Sequence, residues 1–259
     1  PAMYVLLSPA KKLDEGPSAT ELPSSDFSLS QDVAVLLKTA RLQKVADLRK
    51  LMGISESLGE LNVERFDAMN MPMNAGNARQ AALLFAGDTY RGLDAASLSK
   101  EDLIWAQDHL GILSGFYGLL RPLDAIQPYR LEMGTALKTE RGKNLYEFWG
   151  ERIAKLIDDR LLGHAEPVLI NCASGEYFKA VAKKSLQARV ITPIFLEQKG
   201  DVAKTISFLA KKARGAMARY VVVNRLNEPQ ALQSFNELGY AFDSERSSFE
   251  RPVFVAPRD

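Results

Sequence analysis

Three short apolar runs constrain this chain most, because each stops at small polar residues and helix-patterned stretches lie between them. They are 4–7 before Ser8, 112–113 before Ser114, and 167–170 before Asn171, Cys172, Ala173 and Ser174, the last read as a strand over 167–171. Runs this short, closed by turn-forming residues, read as buried strands. Apolar residues at helical spacing predict helices over 32–52, 55–69, 78–85, 144–162 and 175–184. Further strands are expected at 190–196 and 205–208, and alternation at Tyr240, Phe242, Val253 and Val255 marks a C-terminal pair. No repeat and no linker divides the chain, so an α/β (α+β) fold in one compact domain over 3–259 is expected.

Composition excludes several classes. The 259 residues are 46% apolar and 25% charged, an ordinary globular mixture. Lys and Arg number 33 against 32 Asp and Glu, so net charge of +1 favours neither a nucleic-acid nor a membrane partner and only local clustering can argue for one. A lone cysteine, Cys172, rules out an internal disulfide framework, and two histidines, His109 and His164, are too few for a His-based metal cluster; no metal site is expected. No apolar run approaches the roughly 20 residues of a membrane span, so a cytoplasmic protein without a membrane partner is expected. Pro1 and Ala2 precede a plausible initiator, Met3, and read as a cloning remnant.

If the three runs lie parallel in one sheet, their carboxyl ends share the edge where open α/β sheets place ligands. Ser8, Lys11, Ser114, Arg121, Asn171 and Glu176 are the candidates for such a cleft, with Glu176 the acid or base and Arg121 the anion clamp. Serine and asparagine after strands also simply make turns. Ser8 and Lys11 match a Ser-x-x-Lys pattern whose partner motifs are absent. Cys172, just past a strand, reads more readily as a buried, inert thiol than as a reactive one. Neither Gly-rich phosphate-binding motif occurs, and no cofactor is called for.

The segment 204–225 carries six basic residues and no acidic one. On a helical wheel, Lys211, Lys212, Arg214 and Arg219 occupy one arc, opposite Ala213, Ala216 and Met217. Gly215 and Ala218 fall inside the basic arc, so cationic side chains flank a bare strip in which a polyanion backbone can lie. A solvated helix face is the plain alternative. At 43–66, two helical patterns meet at Met52-Gly53-Ile54-Ser55, with Ser55 placed to cap the second. This is a helix-hairpin-helix pattern, in which Gly53 and Ser55 would hold a DNA phosphate, or else a plain helical hairpin, since the usual second glycine is Ser55 and the element is locally acidic.

Longer motifs carry a resemblance. Leu-Leu-Ser-Pro-Ala-Lys (6–11), Phe-Ala-Gly-Asp-Thr-Tyr-Arg-Gly-Leu (85–93), Leu-Ser-Gly-Phe-Tyr-Gly-Leu-Leu-Arg-Pro-Leu-Asp (113–124) and Gln-Pro-Tyr-Arg-Leu-Glu-Met-Gly (127–134) come first. Leu-Tyr-Glu-Phe-Trp (145–149), Asn-Cys-Ala-Ser-Gly-Glu-Tyr-Phe-Lys-Ala-Val (171–181) and Lys-Lys-Ala-Arg-Gly-Ala-Met-Ala-Arg-Tyr (211–220) continue the order. Together they resemble the YaaA family of peroxide-stress-resistance proteins across nearly the whole chain. The departures are Lys12, Cys172 and Gly175, where that family usually has Thr, Leu, and Asn or Asp.

The resemblance implies a cytoplasmic bacterial protein that limits iron-dependent damage when hydrogen peroxide accumulates. It also implies helices around a twisted mixed sheet, a basic cleft, a helix-hairpin-helix and DNA binding; it brings no reaction. The leading expectation is therefore a monomeric stress protein that binds DNA by phosphate contacts and shape. The alternative is an enzyme acting on a nucleotide or nucleic-acid base in the strand-end cleft. Direct iron sequestration fits the ligand inventory poorly.

Overall fold

The computed structural model describes residues 3–163, 166–181 and 183–259; Pro1, Ala2 and His164, read above as a remnant and a histidine, lie outside the described residues. The chain begins with β1 (Met3–Leu7), the helices α1 (Ser30–Leu42), α2 (Val45–Met52) and α3 (Glu56–Ala68), and a short strand β2 (Arg79–Gln80). Three short helices follow, α4 (Ala81–Leu84), α5 (Asp88–Leu93) and α6 (Lys100–Ala106), then strands β3 (Leu110–Ser114), β4 (Gly118–Leu120) and β5 (Ala125–Ile126). Next come α7 (Leu145–Trp149), α8 (Arg152–Arg160), β6 (Val168–Cys172), α9 (Gly175–Phe178) and β7 (Arg189–Ile191). The last part holds β8 (Ile194–Lys199), β9 (Val202–Lys204), α10 (Ser207–Val223), β10 (Ala241–Phe242) and β11 (Val253–Pro257).

The main sheet has the order β4-β3-β1-β6-β7. Strands β3, β1 and β6 are parallel neighbours, and Leu7 stands opposite both Ile112 and Cys172. Their carboxyl ends therefore lie along one edge, β1 and β6 ending level and β3 running two residues further to Ser114. All three are buried along their length, which is why they read as continuous apolar runs and not as alternation. A smaller mixed sheet, β10-β11-β8-β9, is built from the C-terminal strands. The long helix α10 packs against β1, β6 and β8 and so ties the two sheets together.

Several expected elements are divided. The helix at 144–162 breaks at Gly150, which has φ 51. The run 190–196 splits around Pro193 into β7 and β8, which belong to different sheets; proline has no N–H for a ladder. The helix at 32–52 stops at Leu42 and restarts at Val45, where the Lys44 amide donates to the Asp47 carboxylate at 2.8 Å. The helices at 78–85 and 175–184 are reduced to α4 and α9. The expected strand at 205–208 is wrong: β9 ends at Lys204 and α10 begins at Ser207.

The closest helix contact overturns the bare strip. Gly215 and Ala218 are buried, with α10 packed on α5 through Gly215 and Gly92. A β-carbon on Gly215 would collide with the Thr89 carbonyl oxygen, and one on Gly92 with that of Lys212. Small residues on a helix permit close approach of any backbone, and here that backbone is the protein's own.

Candidate functional site

A cavity of about 430 Å³ opens at the carboxyl ends of β1 and β6. Ser8 follows β1 directly and meets Ser174, two residues past β6: the Ser174 amide donates to the Ser8 Oγ at 2.8 Å, and the Ser8 hydroxyl reaches the Ser174 Oγ at 3.4 Å. The Tyr90 hydroxyl donates to the Ser8 carbonyl at 2.7 Å, fixing the backbone there. The chain then runs beside 84–86, with the Ala86 amide on the Lys12 carbonyl at 2.9 Å and the Asp14 amide on that of Leu84 at 2.7 Å, which holds Lys11 and Lys12 on the rim. Opposite, Tyr129, Arg130, Leu131 and Glu132 form a wall. That segment crosses the end of β3 closely because residue 115 is glycine; a β-carbon there would strike the Leu131 carbonyl. Lys211 and Arg214 of α10 complete the enclosure.

The charges in this cavity are unequally partnered. Five cations, Lys11, Lys12, Arg130, Lys211 and Arg214, line it with three carboxylates, Asp88, Glu132 and Glu176. Glu132 pairs with Lys11 at 2.7 Å and approaches Arg130 at 3.9 Å. Asp88 pairs with Arg91 at 2.8 Å, and Glu176 accepts from the Gly134 amide at 2.9 Å. Among the described residues, Lys12, Lys211 and Arg214 have no carboxylate within ion-pairing distance. The cavity therefore carries unneutralised positive charge beside two serine hydroxyls, a combination chemically suited to an oxyanion.

Its floor is chemically quiet. Cys172 is buried, and burial pushes its thiol up to about 12 although the Arg214 guanidinium pulls it down. It is held as the thiol, the inert form, in line with the expectation of a buried cysteine. Burial also raises the phenols of Tyr90, Tyr129 and Tyr177, which stay protonated and serve as hydrogen-bonding groups.

The cavity unites residues expected in two separate sites. Ser8, Lys11 and Glu176 from the cleft set and Lys211 and Arg214 from the nucleic-acid set all line it. Ser114 is fully buried behind it, 2.5 Å from the Tyr129 hydroxyl. Asn171 is turned inward, its Oδ1 accepting from the Ala173 amide. Arg121 is bound to buried Asp124 and the Asp26 carbonyl, away from the cavity. Lys212 is exposed beside Lys211, whereas the Arg219 guanidinium donates to the Leu93 and Asp94 carbonyls and caps the end of α5. Gly53 (φ 62) makes the turn between α2 and α3, and the Ser55 hydroxyl accepts from the Leu58 amide at 3.2 Å; this hairpin does not line the cavity. Sequence reasoning missed Lys12, Arg130, Glu132 and the wall at 86–89 as site residues. The signal available was clustering: the stretches 6–11, 85–93, 127–134, 171–181 and 211–220 all reach this cavity.

A family model described as peroxide stress protein YaaA matches residues 3–246. The chain belongs to this family. Among its relatives, a UPF0246 protein of Ruegeria pomeroyi is 51% identical over 255 residues, covering 98% of this chain and 99% of its own. A UPF0246 protein of Roseobacter denitrificans is 52% identical, with 98% of each chain covered, and one of Bordetella petrii is 50% identical over 253 residues. The YaaA family assigns the chain a role in peroxide stress. Among the described residues, no helix is long and apolar enough to cross a membrane, and no three His, Cys, Asp or Glu side chains are grouped to hold a metal ion.

Proposed function

We propose that this YaaA-family member acts in peroxide stress as a monomeric, cytoplasmic DNA-binding protein, gripping the phosphate backbone at the rim of the strand-end cavity. The observation that carries this reading is the set of free cations: Lys12, Lys211 and Arg214 converge on one opening from two chain segments, with Lys212 exposed beside them. The bare helix strip plays no part, because α5 covers it. The Gly53–Ser55 turn offers a second phosphate contact, although Glu56 stands in the first turn of α3 and opposes it. Phosphate contacts carry no sequence information, so binding follows DNA shape. Neutralising phosphates releases the condensed cations around DNA, ferrous iron included, and this displacement would limit iron-dependent cleavage by peroxide.

The test is cleavage of a labelled duplex by ferrous iron and peroxide. Protection by the protein, lost in Lys211→Gln/Arg214→Gln, is expected. Equal protection by both proteins, or none by either, would remove the basis of the reading.

A further inference from the structure

The rim accounts for only part of the cavity. A phosphodiester engages Lys12, Lys211 and Arg214 from outside, yet about 430 Å³ lies behind them, well beyond the needs of one phosphate and within the range of small-molecule sites, roughly 300–1,000 Å³. The interior has the mixed character of a pocket for a flat, polar heterocycle. Tyr129, Tyr177, Leu131 and Cys172 give aromatic and apolar surface, and the Glu132 and Glu176 carboxylates offer acceptors for amino or hydroxyl groups. Tyr129 is only 4% exposed, so this surface lies deep and not at the rim. A duplex is too broad to enter such a space, whereas a single nucleotide taken out of the stack fits it.

We propose that the cavity takes one 5′-phosphorylated nucleoside unit, with the phosphate at Lys12, Lys211 and Arg214 and the base against Tyr129, Tyr177 and Leu131. Two sources share this chemistry: a free mononucleotide, and a nucleotide extruded from bound DNA. The second source rests on the DNA-binding reading above; the first does not.

The test has two arms. In the first, titration calorimetry compares a deoxynucleoside 5′-monophosphate, deoxyribose 5-phosphate and inorganic phosphate. The nucleotide should bind at least about tenfold more tightly than the sugar phosphate, the scale of one base stacking on an aromatic side chain. Equal affinity of all three would overturn the proposal, because the base would then lie outside. Ala10→Trp places a bulky side chain in the partly exposed lining and should abolish nucleotide binding. Lys211→Gln, at an exposed position, should weaken it several-fold and serves if the first variant misfolds. Nucleotide binding unchanged in a folded Ala10→Trp, or in Lys211→Gln, would place the site elsewhere and overturn the proposal.

In the second arm, gel shifts compare a paired duplex with one carrying a single bulged nucleotide. Tighter binding of the bulge, abolished by Ala10→Trp, identifies extrusion as the source. Equal binding of both duplexes, with the first arm positive, identifies the free nucleotide. No binding of either duplex, with the first arm positive, leaves the pocket standing and removes only the DNA-binding reading.

Discussion

Removing charge from the cavity rim should change the salt dependence of DNA binding by a predictable amount. Around the cavity opening, Lys12, Lys211, Lys212 and Arg214 have no carboxylate partner among the described residues and are placed to meet phosphate. Each phosphate neutralised on B-form DNA contributes about −0.9 to the slope of log affinity against log salt. Four contacts give a slope of about −3.6, so affinity should fall about 150-fold between 50 and 200 mM salt. In Lys211→Gln/Arg214→Gln the slope should drop to about −1.8 and the fall to about 12-fold. Lys155→Gln, on α8 and paired with Glu151 at 3.4 Å, should leave the slope as it was. Fluorescence anisotropy of a labelled duplex at several salt concentrations measures all three proteins. A wild-type slope near zero, or one that the double substitution does not alter, would show that these cations do not meet phosphate.

Other consequences concern the frame around the site. Gly215→Ala forces a β-carbon into the Thr89 carbonyl and should cost about 2–3 kcal/mol, read as a lower urea midpoint with an unchanged m-value; unaltered stability would show that α10 and α5 are not in such close contact. With its thiol pushed up to about 12, Cys172 should be ionised in about one molecule in ten thousand at pH 8, so iodoacetamide should label it only after unfolding. Because the folded value is the raised one, its contribution to stability is present below about pH 8.5 and is lost as pH rises toward 12; rapid labelling of the native protein at pH 8 would contradict both statements. In the second sheet, buried Glu197 accepts from Arg258 Nε at 2.7 Å and from the Tyr240 hydroxyl at 2.6 Å. Arg258→Ala should cost about 2 kcal/mol by thermal melting, below the 3–5 kcal/mol of a fully buried pair because the Arg258 side chain is 38% exposed; an unchanged melting temperature would show that the pair does not support this sheet.

The strands that position the site were legible because they are buried on both sides and end in residues of a different kind. Leu7-Ser8 and the segment 168–174 announce their strand ends, and parallel pairing brings Ser8 and Ser174 together. What local patterns do not contain is the identity of the neighbour. The wheel of α10 separates its charged and apolar sides correctly, but it treats Gly215 and Ala218 as empty space, since nothing in periodicity shows that the α5 backbone at Thr89, more than a hundred residues earlier, lies against Gly215. Arg219 is charged like Lys211, yet two carbonyls at the end of α5 claim its guanidinium. Ser114 and Asn171 follow their runs as Ser8 does, but a tyrosine hydroxyl and a nearby amide occupy them. Gly150 and Pro193 were visible as breakers; the spacing around them was regular enough to carry a helix and a strand across.

In the proposed complex, DNA lies across the opening between Lys12 and α10. Acetylating the lysines with a water-soluble ester, with and without bound duplex, and reading the modified sites by mass spectrometry locates the contact. Lys12, Lys211 and Lys212 should become unreactive together when the duplex is bound, while Lys155 keeps its reactivity. If the duplex binds and these three lysines stay as reactive as before, the cavity rim is not where the phosphates sit.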